Sequence, residues 1–99
     1  RRPTPPPVRY QRQLASAQTE SSQLTAEANE IQRDQDRLRQ NINSLNRVAG
    51  QQEQVNRYAA DLAKGDARLA QIRDRQEQLR RSVNALQTEL NALIEKLEF

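Results

Sequence analysis

Cysteine and histidine are both missing from the 99-residue chain. With them go the commonest metal ligands, the thiolate nucleophile and the usual general base. No disulfide can staple the fold, and cysteine usage says nothing of the redox compartment. Aromatic residues make up 3% and hydrophobic residues 34% of the chain, too little for a layered core of ordinary size. No apolar run is long enough to cross a bilayer. The opening Arg1-Arg2-Pro3-Thr4-Pro5-Pro6-Pro7 lacks the apolar centre of a secretory signal. It also lacks an initiator methionine, so the chain is expected to be a piece of a longer protein, of open localisation.

Helix breakers are scarce beyond that start. All four prolines fall in the first seven positions, and the two glycines are Gly50 and Gly65. The remainder is rich in Ala, Leu, Gln, Arg and Glu, which lose little entropy on entering a helix. A charged fraction of 29% could accompany disorder, but disorder comes with Pro, Gly and unpatterned apolar residues. The composition instead fits long helices.

The net charge of +3 is informative only once it is located. Residues 8–49 carry six basic and five acidic side chains, and residues 54–99 carry eight and seven. The excess lies in Arg1 and Arg2. Neither helix carries a basic stripe, so nucleic acid is an unlikely partner by charge alone.

Residues 1–7 are expected to form an extended, polyproline-like lead-in, either a stiff linker or, on the sharper reading, an SH3-type ligand. Pro7 also suits the first turn of a helix, where its missing N–H costs nothing. From Tyr10 a 4–3 spacing runs through Leu14, Ala17, Ser21, Leu24, Ala28, Ile31, Gln35, Leu38, Ile42, Leu45 and Ala49. A second series runs through Val55, Tyr58, Leu62, Gly65, Leu69, Ile72, Gln76, Leu79, Val83, Leu86, Leu90, Leu93 and Leu97. Heptad repetition of this length is the a/d seam of a left-handed coiled coil. The series break around Gly50, a residue suited to the left-handed conformation that ends a helix. Together they predict an all-α, antiparallel two-helix coiled-coil hairpin, with helices over 8–49 and 54–99 and a turn near Gly50.

A turn centred on Gly50 makes facing residue numbers sum to about 100. Ile42 then meets Tyr58, Leu38 meets Leu62, and Gln35 meets Gly65. The flanking g positions bring Asp34 to Arg68 and Glu27 to Arg75, while avoiding an Asp34–Asp61 opposition. Gln35 and Gln76 are polar residues at seam positions, where such residues fix register at some cost in stability; a ligand or partner contact is the alternative. Tyr10 and Tyr58 suit the seam with hydroxyls at the rim. Gly65 costs about 1 kcal/mol against Ala in a helix; it is expected to leave space for Gln35 opposite, with a bend in the helix as the alternative.

Material for catalysis is thin. Paired carboxylates such as Asp34 and Asp36 diverge on a helix and stay in solvent, and a two-helix rod offers no walled cleft. No catalytic residue, metal ligand or cofactor is expected, and the chain is not expected to be an enzyme.

The run Asp34-Gln35-Asp36-Arg37-Leu38-Arg39-Gln40-Asn41-Ile42, followed by Leu45, Tyr58 and Leu62, resembles the C-terminal coiled-coil region of a bacterial family of unknown function related to mucoidy inhibitor A. Members share an Asp-Gln-x-Arg-hydrophobic-Arg-x-Asn-hydrophobic segment, then a Tyr and a Leu-rich closing helix. The resemblance covers roughly residues 24–99, whereas the Pro-rich start departs from it. It implies a β-rich body elsewhere in the full protein, from which the hairpin projects, and no assigned activity.

The expected function is therefore a non-enzymatic interaction or spacer arm, about 60 Å long at 1.5 Å per residue, for self-association or for a protein partner not identified by the sequence. Ala59, Ala63, Ala67, Ala70 and Ile94 flank the second seam and make a dimer, a four-helix bundle, the expected assembly. Two other classes compete. A nucleic-acid-binding arm like that of seryl-tRNA synthetase requires a basic face. An efflux-adaptor hairpin, docking a membrane-fusion assembly by its tip, requires a tip pattern that Leu45–Gln51 does not show.

Overall fold

Two long α-helices make up the fold. The computed structural model describes residues 6–97, in which α1 spans Pro6–Leu45 and α2 spans Gln52–Leu97, with no strand between them. The lead-in expected over residues 1–7 lies outside the described residues for 1–5. Pro6 and Pro7 instead open α1, at positions whose N–H groups have no helical acceptor in any case. Nothing between Pro7 and Leu45 interrupts the i→i+4 ladder, and the residue types there favour it.

α1 stops at Leu45, four residues before the end expected at Ala49. Asn46 still donates its N–H to the Ile42 carbonyl at 2.9 Å, but Val48 donates to Leu45, also at 2.9 Å. That tighter step ends the α spacing. Gly50 follows with φ +83°, a backbone state that carries little steric cost only without a Cβ. The chain re-enters a helix when the Val55 N–H donates to the Gln51 carbonyl at 3.0 Å. Glu53 lies in the first turn of α2 and Lys96 in its last, each of the sign that the helix dipole favours there.

The helices divide into two compact units. The turn unit, Thr25–Asp74, holds the end of α1, the connection and the start of α2. The terminal unit joins the stretch up to Leu24 with the stretch from Arg75. Within each unit the two helical segments run antiparallel, as the contact of Glu27 with Arg68 in one and of Glu20 with Arg75 in the other requires.

Burial follows the 4–3 series closely. Of the residues in the two series, only Ala49 and Leu97 are exposed; all others are buried or half-buried. Ile72 of the turn unit is the most enclosed side chain, at 2% exposure. In the terminal unit Ala17, Leu24, Leu79 and Leu90 are buried. Each such leucine contributes about 1.5–3 kcal/mol when fully removed from water. Outside the series the half-buried side chains are few: Pro7, Glu20, Glu27, Gln51, Gln54 and Glu77.

Candidate functional site

The most specific arrangement of polar groups is at Gln35, on α1 in the turn unit. Its side chain is 4% exposed, the one buried polar residue among those described. Burying an amide is costly unless its hydrogens find acceptors. Gln35 Nε2 donates to the Leu62 carbonyl at 3.2 Å and to Asp66 Oδ1 at 2.8 Å. Gly65 makes room for it: a Cβ there would stand 2.9 Å from Gln35 Nε2 and 3.2 Å from Ile31 Cγ2. Gln35 thus faces Gly65 as the seam pattern suggests. Asp66, the charged end of the network, follows Gly65 directly in sequence. A buried seam amide needs an acceptor at the rim, and that need is the signal by which Asp66 could be found.

The flanking ion pairs differ from those expected. Arg68 does not meet Asp34, and Arg75 does not meet Glu27. Arg68 grips Glu27 with Nε–Oε2 at 2.6 Å and Nη2–Oε1 at 2.8 Å. Arg75 grips Glu20 with Nε–Oε2 at 2.5 Å and Nη2–Oε1 at 2.9 Å. Each pair is shifted by one heptad. Gly65 sits between Ile31 and Gln35, so Arg68, three residues on at about 1.5 Å each, lies between the levels of Glu27 and Asp34. Glutamate has the extra methylene needed to present both oxygens to the guanidinium fork. Asp34 is shorter, and is taken up by Arg37 of its own helix.

The heptad shift places Asp34 and Asp61 along the same shallow groove of the turn unit. That is the opposition that the Gly50-centred register would avoid. It is tolerated because both carboxylates are exposed, and exposed charges interact weakly through water. The seam sets the register, and the rim adapts to it.

Electrostatics follow the forks. The Arg75 hydrogen bonds hold the Glu20 carboxyl below the usual glutamate range, against some desolvation and with help from the arginine charge. Arg68 does the same for Glu27, and Arg80, with Arg81, for Glu77. The guanidinium groups of Arg68, Arg75 and Arg80 are shifted upward in return, chiefly by the same hydrogen bonds. Glu20 and Glu77 have no counterpart among the expected pairs.

Gln76, the second polar seam residue, is half-buried in the terminal unit, beside Ala17, Ser21 and Leu79. Gly50 has nothing within 4 Å of the place a Cβ would take. Among the described residues no group of three or more acidic, histidine or cysteine side chains could hold a metal ion, and no helix is long and apolar enough to cross a membrane. Comparison with protein-family models, curated proteins and solved structures finds no match.

Proposed function

We propose that the chain is a coiled-coil interaction or spacer arm of a larger bacterial protein, acting without catalysis. One observation carries this reading: the heptad series accounts for most of the buried or half-buried residues, and the side chains outside it are almost all exposed. A chain that spends its pattern on one narrow seam is built to hold two helices together and to present their outer faces. The family resemblance of residues 24–99 supplies the larger bacterial protein and its β-rich body.

Self-association is the interaction favoured by energetics. The seam leaves most of its leucines only half-buried, while ordering each residue's backbone costs about 1–2 kcal/mol. Ala59, Ala63, Ala67 and Ala70 are exposed along α2, and Ile94 is 42% exposed. Pairing two hairpins into a four-helix bundle covers this surface and widens the margin. Gln35 and Gln76 act in this reading as register residues.

Sedimentation equilibrium over a wide concentration range tests the interaction, and spin labels at Arg12 and Arg39 of α1 test the spacer. The expected results are a mass rising toward the dimer and one narrow distance. A helical monomer at every concentration removes self-association and leaves the spacer. A monomer with a broad distance distribution removes both.

A further inference from the structure

We propose that the hairpin has a second register, one heptad away from the observed one, and that the Gln35–Gly65–Asp66 contact is the latch that holds it out of that register.

Three independent features lead there. The first is the ladder of acidic groups on α1. Glu20, Glu27 and Asp34 recur every seven residues, and the arginines opposite, Arg68 and Arg75, have the same spacing. The observed forks use Glu27 and Glu20. A slide of seven residues hands Arg68 to Asp34 and Arg75 to Glu27, so both arginines keep a carboxylate. The slide also moves Asp34 away from Asp61. The apolar seam repeats with the same period, and leucine, isoleucine and alanine positions meet again after the slip.

The second feature is the connection. The 4–3 series of α1 continues to Ala49, yet the helix ends at Leu45 and Ala49 is exposed. Lengthening α1 to Ala49 and unwinding the first turn of α2 is the change a heptad slide requires. Gly50 then follows the last helical residue directly, as the left-handed glycine of a helix C-terminus. Its φ of +83° is already that conformation.

The third feature is what distinguishes the registers. Gln35 gives its Nε2 hydrogens to the Leu62 carbonyl and Asp66, and it fits because Gly65 has no Cβ. After the slide Gln35 would face Ile72, seven residues beyond Gly65, and lose those acceptors. A buried amide without partners is strongly disfavoured, so this contact selects the observed register.

The experiment uses the full chain with spin labels on Ala26→Cys and Ala59→Cys, both at exposed positions of the turn unit. The unsubstituted seam should give one distance. Gln35→Leu removes the latch, and Gly65→Ala crowds it out by a separate route. Each should add a population lengthened by up to about 10 Å, the axial travel of seven helical residues. Glu20→Gln in the Gln35→Leu background should enlarge that population, because Glu20 pairs with Arg75 only in the observed register, and Asp34→Asn should shrink it. A single unshifted distance in either latch variant, with helix content retained by circular dichroism, overturns the proposal. So does loss of helix in both variants, because a chain with a second register has somewhere folded to go.

Discussion

The turn unit and the terminal unit hold the same two helices together by different means. The terminal unit buries Ala17, Leu24, Leu79 and Leu90, an apolar seam of ordinary kind. The turn unit encloses Ile72 and then a glutamine, with a glycine opposite it. Each has one bidentate Glu–Arg fork joining its two helical segments, so these forks are not what separates them. Apolar contact holds two helices wherever their patterns overlap, and a seven-residue slip barely changes it. A buried amide with two fixed acceptors and a connection with one left-handed residue do specify position. Burial in the terminal unit supplies stability, and polar geometry in the turn unit supplies register.

The sharpest way to break this comparison is by truncation. Leu79→Ala should cost about 2–3 kcal/mol in urea unfolding, the lower part of the range for buried leucines, because a two-helix seam can close over the gap. Leu62→Ala, half-buried in the turn unit, should cost clearly less. Equal losses would mean that the turn unit also rests on apolar burial. Next in size is Gly50→Ala. Open space surrounds that position, so the cost is purely one of backbone conformation, about 1–2 kcal/mol for an L-residue held left-handed, read from thermal melts.

The seam is legible in the sequence because burial in a helical pair depends on period alone, and a 4–3 series through Tyr10–Ala49 and Val55–Leu97 can be counted. The partner of Gln35 is half legible: Gly65 opposite it follows from the layer arithmetic, while Asp66 lies off the seam. The ion pairs are not legible. Choosing between Arg68–Glu27 and Arg68–Asp34 turns on a single helical turn of axial offset and one methylene of side-chain reach. The Asp34–Asp61 opposition gives poor guidance because water screens it. The end of α1 is likewise decided by tertiary register, since Asn46, Arg47, Val48 and Ala49 have no strong breaker among them.

A smaller effect sharpens the turn-unit half of the comparison. Gly65→Ala should change stability little, since the helix propensity gained, about 1 kcal/mol, is offset by the contact of 2.9 Å with Gln35 Nε2. In a Gln35→Ala background the same change should stabilise by about that amount. A double-mutant cycle in urea reads the coupling, and additivity would remove the latch.

The smallest expected effect is that of acid. Glu20, Glu27 and Glu77 have native pKa values lowered chiefly by their arginine hydrogen bonds. The unfolded chain therefore takes up protons first as pH falls. The contribution is complete above the ordinary glutamate range and disappears as pH drops through the depressed native values. Two of the three carboxylates lie in the terminal unit and one in the turn unit, so hydrogen exchange in acid should quicken more in the former. Salt should act in the same direction.

Arg47 sits exposed in the non-helical connection between Leu45 and Gln52, and this has a consequence for how the chain folds. A single cut after Arg47 by trypsin leaves two helical peptides joined by nothing covalent. Before the cut each helix meets its partner at an effective concentration in the millimolar range, as for a short tether. Afterwards the encounter is bimolecular, and the midpoint of melting becomes dependent on dilution. The six residues of the connection thus do the work of concentration, and one severed peptide bond converts a folding equilibrium into an assembly equilibrium.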